Sequence, residues 1–386
     1  MTDTGYLVAE RALVEQYLPG LDKVLADAEL SELEQRGGPA LDLFRQAGGP
    51  ALLIPVAHGG LGATPLEAVR IQRAIAGRSP SLAVGVMMHH LSVATFVEFL
   101  TANCEPDAFE WALLKMVAAE QMYVASASAE GKSGQSVLAP TMIARRDGDK
   151  FIVNGRKKPC SLSKSMTWLT ASVLIEGDEQ YDGCVGMAII TADSAGLEVR
   201  PFWTSEVLAG AESDEVVLQD VEVSEQLIVF TDQRPGTQMD DVQMRGWTWF
   251  EVLAAASYIG VAGALVERVV EAGRGSAVEV GLLHVRLESA MAAVENLARQ
   301  MDDTSSTAEQ RLAQSLIVRF AAQDTVMAVA AEAAALVGGL RFIQDQTVGY
   351  LLQAVRAMAF HPPSRDRALT AVSQYMAGGP LDTTVF

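Results

Sequence analysis

The sequence predicts an α+β fold, mostly α: an N-terminal helical domain over 1–119, a central antiparallel β-barrel or sandwich domain over 120–235, and a C-terminal four-helix bundle over 236–386. Apolar residues recur at helical spacing in both outer parts. The middle part instead carries short β-type runs bounded by Gly and Asp, with no amphipathic helix between them. Composition agrees: 49% of residues are hydrophobic but only 6% aromatic, and the excess of Ala, Leu and Val favours closely packed helices. A chain of 386 residues this apolar can build a large core and is not disordered throughout.

In the first part, Leu13, Val14, Tyr17, Leu18, Leu21, Val24 and Leu25 keep helical spacing, as do Val69, Ile71, Ile75 and Ala76. Ser81–Leu100 is nearly uncharged, the mark of a helix buried on all sides. Its His89 and His90 are candidates to line a substrate cavity. In the middle part, Thr141–Arg145 and Lys150–Asn154 flank Asp147-Gly148-Asp149, a hairpin signal. Leu169–Ile175, Val185–Thr191, Leu197–Trp203 and Val216–Val223 are further strands. The last part predicts helices over Trp247–Val270, Gly281–Met301, Ser305–Val337 and Val348–Ala359. Gly338-Gly339 stops the third and Pro362-Pro363 the fourth.

Several function classes drop out. With 29 Lys+Arg against 48 Asp+Glu, the net charge of −19 repels nucleic acid. The basic group Arg145, Arg146, Lys150, Arg156, Lys157, Lys158 is too short and interrupted to change that. The longest uncharged apolar run, Val252–Val266, has 15 residues, short of the ~20 that span a bilayer. No membrane partner is expected. The start has no basic stretch followed by an apolar one, and Cys104, Cys160 and Cys184 have neither disulfide nor metal spacing. A cytoplasmic location, ordinary thiols and no metal are therefore expected. No Ser/His/Asp arrangement or H-E-x-x-H string supports hydrolase chemistry.

Five strings, in order, carry a family resemblance: Leu53–Gly62 (LIPVAHGGLG), Asp147–Lys157 (DGDKFIVNGRK), Val216–Val229 (VVLQDVEVSEQLIV), Gly260–Glu267 and Ala333–Gly339 (AAALVGG). Together they make the chain similar to the acyl-CoA dehydrogenase superfamily, over nearly its whole length. Ala357–Pro363 (AMAFHPP) resembles the divergent, flavin monooxygenase-like branch. The resemblance implies a flavin-dependent oxidoreductase acting on an acyl thioester, carried by coenzyme A or an acyl carrier protein, in specialised metabolism. It implies FAD ahead of FMN, and a homodimer or homotetramer that shares its flavin sites. A two-component flavin monooxygenase and a non-redox protein on the same fold remain alternatives.

The resemblance also assigns residues. Ser161, in Lys158-Pro159-Cys160-Ser161, stands where the family's Trp-x-Thr presents a hydroxyl to the flavin ring. Cys160 lies beside it. Tyr123, Ser126, Ser128 and Ser133 form the facing strand and loop, Ser126 at the family's Thr position. Gly338 and Gly339, with Arg274, correspond to contacts on a neighbour's pyrophosphate, although Ala335 and Glu271 replace the usual Gln and Arg. For proton transfer, the usual Glu position falls on Pro362, which has no proton to exchange. The family's other arrangement falls on Phe250, which would border substrate, next to Glu251. Glu251 and His361 are therefore the candidate catalytic residues. A base must reach its proton, and a buried carboxyl has the raised pKa that lets it work near neutrality.

Overall fold

A computed structural model describes residues 6–108, 110–132, 134–303 and 305–386. The N-terminal part is helical: α1 (Val8–Tyr17), α2 (Leu21–Asp27), α3 (Leu30–Glu34), α4 (Ala40–Gln46), α5 (Pro65–Arg78), α6 (Pro80–Asn103) and α7 (Trp111–Glu120). Local chemistry sets several starts. Thr64 caps α5 in a reciprocal pair with Glu67 and Pro65 occupies its first position, while Ser79 caps α6 ahead of Pro80.

The strands follow: β1 (Val124–Ala127), β2 (Ile143–Asp147), β3 (Lys150–Cys160), β4 (Trp168–Glu176), β5 (Val185–Thr191), β6 (Leu197–Arg200), β7 (Asp214–Ser224) and β8 (Ile228–Phe230). They form one sheet in the order β6-β7-β3-β2-β4-β5-β8, with β1 also beside β4. The expected hairpin is present, β2 and β3 joined through Gly148 at φ +66°. The sheet, however, is mixed rather than antiparallel: β1 and β2 both run parallel to β4. Local alternation identifies a strand, but its direction relative to a strand far along the chain depends on the crossover between them. β1 lies along Trp168–Ala171 and β2 along Leu174–Glu176, so they share one edge of β4 while β5 takes the other.

The last part holds α8 (Asp241–Glu271), α9 (Ala277–Met301), α10 (Ala308–Val337), α11 (Gly339–Gln344), α12 (Gln346–Arg356) and α13 (Arg365–Met376). The four expected helices are here, α8–α10 and α12, but α11 and α13 enlarge the bundle. Gly338-Gly339 does end α10, and α11 begins at once in a new direction. By length and composition α6, α8 and α10 could cross a bilayer, yet the most apolar stretch of α8 is wholly enclosed by protein. Helices α5, α6, α9, α10 and α12 all pack on α8, which explains a helix apolar on every side. Where α8 crosses α5 the backbones nearly touch: a Cβ on Gly260 would lie 2.2 Å from the Arg73 carbonyl oxygen. One continuous core runs through all three parts.

Candidate active site

On β1, Ala125 and Ala127 are buried while Ser126 is half-buried and Ser128 exposed, so the strand turns a hydroxyl-bearing face outward. The end of β3 lies against it. The Cys160 thiol is 3.9 Å from the Ser126 carbonyl oxygen, and the Lys158 N–H donates to the Ala129 carbonyl at 2.9 Å. Ser161 Oγ is 2.9 Å from Ser213 Oγ, a partner sequence reasoning missed. Ser126 and Ser161 are thus half-buried on neighbouring segments, with Ser128 exposed just beyond the end of β1. These groups fit the polar edge of a flavin ring, because they can accept and donate without leaving any buried group unpaired.

Beneath them lies an ion pair that the sequence did not reveal. Lys157 is fully buried; its ammonium lies 3.0 Å from Glu130 Oε1 and 3.0 Å from Ser172 Oγ. The Glu130 carboxylate also accepts from the Thr141 N–H at 2.7 Å and from Gln135 Nε2 at 3.0 Å. Burial alone would raise the Glu130 pKa; hydrogen bonds from Thr141 and Lys157 outweigh it and hold the pKa at about 2. The loop between β1 and β2 is pinned by this one side chain.

Other expected contacts are placed differently. Tyr123 is buried and its hydroxyl donates to the Leu41 carbonyl at 2.6 Å, so it offers no polar atom to a cofactor. Burial pushes the Cys160 thiol up to about 12, keeping it protonated. His89 is a core residue: Nε2 meets the Pro50 carbonyl at 2.9 Å and Nδ1 accepts the Val124 N–H at 3.0 Å. Both nitrogens are used, which leaves none for a substrate. His90 is buried against Phe44 with neither nitrogen hydrogen-bonded, and burial drives its pKa well below normal, so it is neutral. An apolar cleft does lie on this side, between Val93 and Phe96 of α6, Val117 of α7 and Val124, Trp168 and Thr170 of the sheet. Ser133 lies outside the described residues. Arg274 is exposed, and a Cβ on its neighbour Gly275 would lie 3.5 Å from Leu336, so the loop adjoins the end of α10 that leads into Gly338 and Gly339.

The two candidate catalytic residues come together, with two companions. Glu251 and Tyr258 lie seven residues apart on α8, two turns along one face. His361 follows the 3-10 turn Ala357–Phe360, and its Nε2 is 2.7 Å from the Tyr258 hydroxyl. Phe250 is buried, 5.7 Å edge-to-face from the His361 ring. Glu251 faces Arg319 of α10, with Arg319 Nη1 3.2 Å from Oε2. The guanidinium also donates to the carbonyls of Met358 (3.3 Å), His361 (2.7 Å) and Pro362 (2.9 Å). Burial raises Glu251 to about 7, although Arg319 pulls the other way. Burial, and then the Arg319 charge, lower His361 to about 3, so its imidazole is neutral. Arg319 had a sequence signal. It stands on the apolar stripe Leu312, Leu316, Arg319, Gln323, Val326, Ala330 of α10, where a charge must find a buried partner.

Residues 125–221 match the family described as acyl-CoA dehydrogenase, middle domain. Isobutylamine N-hydroxylase of Streptomyces viridifaciens is 43% identical over 377 residues, covering 97% of this chain and 99% of that protein. The chain belongs to the acyl-CoA dehydrogenase superfamily. It is an enzyme of this superfamily's flavin-dependent oxidoreductase type, and its C-terminal part follows the monooxygenase-like branch. Solved structures share the fold. KijD3 in complex with FMN and a dTDP-amino-keto sugar superposes with a TM-score of 0.83 at 19% identity, covering 98% of this chain and 96% of that one. FMN-bound TdsC of Paenibacillus sp. A11-2 gives 0.79 at 18% identity, covering 98% and 99%.

Proposed function

We propose that this superfamily member is a two-component flavin monooxygenase that hydroxylates the nitrogen of a small aliphatic amine, with FMN as its flavin. The observation that carries the reading is the engagement of Glu251 by Arg319. A dehydrogenase needs a carboxylate free to take the α proton of a thioester; Pro362 stands at the usual position, and the candidate Glu251 pairs with a guanidinium. The end-to-end relation to an amine N-hydroxylase supports the same side. FMN is supported by the cofactor present in both neighbouring structures and by the loss of the Gln and Arg that resemblance would place on an FAD pyrophosphate.

What the flavin supplies when bound is reducing power: with O2, two electrons and two protons place one oxygen atom on the amine nitrogen and release the other as water. The chain's own residues provide the setting. We assign the ring edge to Ser126, Ser128 and Ser161; the apolar cleft lined by Val93, Phe96 and Trp168 has free space of about 20 Å³ and must open to take an aliphatic chain. His361 and Tyr258 hold a proton between Nε2 and Oη. Phe250 and the buried bundle keep water from the Tyr258 hydroxyl. Acyl thioester oxidation by Glu251, the first expectation from resemblance, would require the carboxylate to leave Arg319.

Purified protein given reduced FMN, 18O2 and isobutylamine should yield a hydroxylamine carrying one 18O by mass spectrometry. Anaerobic bleaching of bound flavin by an acyl-CoA, with no 18O in any amine product, would overturn the proposal in favour of dehydrogenation.

A further inference from the structure

The turn carrying His361 is anchored by the buried Met358 and by the contacts of the His361 ring with Phe250 and Tyr258. Phe360 is 85% exposed, and the turn closes a short helix whose last carbonyls need donors from elsewhere. The carbonyl of Met358 in this turn and those of His361 and Pro362 just after it converge on one guanidinium from a different helix. That guanidinium is itself buried and would be an uncompensated charge without Glu251. We infer that Arg319 is the positioning residue of this site: held by Glu251, it clamps the 358–362 turn and so fixes the His361 imidazole against the Tyr258 hydroxyl. Glu251 then acts through Arg319 as its counter-ion and does not exchange protons with substrate. The effect on turnover rests on the monooxygenase reading; the effect on imidazole placement does not.

The full-length holoenzyme, labelled with 15N and 13C in histidine, has only five histidines, and the His361 signal is the one lost in H361N. In the wild type this signal should report a neutral, hydrogen-bonded ring that does not titrate near the ordinary value of 6.5. In R319M it should move toward that of a solvated imidazole titrating near 6.5, and amine hydroxylation should fall by about 100-fold, as expected for a group displaced by about 1 Å. R319K, which keeps the charge and some donors, should recover part of both. The double variant E251Q/R319M separates clamping from mere stability. With no charge left unpaired its melting temperature should return toward wild type, while the His361 signal stays displaced. Should R319M fail to fold, R319K and the double variant carry the same comparison. An unmoved His361 signal in folded R319M or folded E251Q/R319M overturns the clamp. A displaced signal with unchanged hydroxylation overturns its part in turnover. A wild type that hydroxylates no amine overturns the monooxygenase reading alone, since the signal still reports the clamp.

Discussion

Glu130 shows how much one side chain can hold. It accepts from backbone, hydroxyl, amide and ammonium donors that belong to the β1–β2 loop and to β3. Its depressed pKa has a consequence with a definite sign. A carboxylate held below its ordinary value stabilises the fold above pH 4.5, and that share is lost as the pH falls from 4.5 toward 2. Urea unfolding followed across that window should therefore show a shallower acid limb for E130Q than for the wild type; parallel limbs would contradict it. His361 acts in the same direction over a wider window. Being lowered from 6.5 to about 3, it favours the fold above pH 6.5 and opposes it increasingly as the pH drops toward 3. H361N should remove that part of the slope, which the same titration measures.

Among elements, the crossing of α5 and α8 gives a sharp test of packing. Gly260 has no room for a methyl group, with the Arg73 carbonyl oxygen 2.2 Å and Ala76 Cβ 2.9 Å from the position it would take. G260A should cost about 1–3 kcal/mol, because inserted atoms in a packed interior force backbone shifts; a thermal melt unchanged from wild type would refute the close approach. Which elements were legible beforehand follows the same logic of distance along the chain. The Asp147–Lys150 hairpin and the long helices are written in neighbouring residues, and they stand where the periodicity places them. The parallel pairing of β1 with β4 joins segments some 40 residues apart and leaves no local trace. The catalytic candidates divide in the same way. Glu251 and His361 were visible as lone ionisable groups beside apolar runs. That they share Arg319 and Tyr258 depends on α8, α10 and the turn after α12 meeting in space. His89 was visible too, but whether its nitrogens faced ligand or backbone was decided by Pro50 and Val124, neither of which marks itself as its partner.

For the molecule as a whole, ligand and self-association give separate tests. If FMN is the cofactor, adding it at 100 times its Kd should stabilise the fold by about 2.7 kcal/mol. FAD at the same concentration should add less; equal or greater stabilisation by FAD would revoke the preference. The surface also carries apolar side chains with no cover in a single chain: Val278, Leu282 and Val285 along α9, and Leu340, Ile343 and Phe360 near the end of the bundle. Such patches commonly mark contacts between proteins. We expect the enzyme to sediment as a dimer or tetramer and L340E/I343E to shift it toward single chains; a wild type that sediments as one chain would discard this expectation. The sheet, lastly, has a use for the engineer. Chain 128–142 leaves and rejoins it on the same edge of β4, Ala127 opposite Ala171 and Ile143 opposite Leu174. Three residues of one strand, about 10 Å, fix the separation of its ends. It is in effect a cassette in a rigid socket: exchanged whole between related enzymes, with the Glu130–Lys157 tie kept as its fastening, it can alter what the hydroxyl-lined face accepts while the strands stay in register.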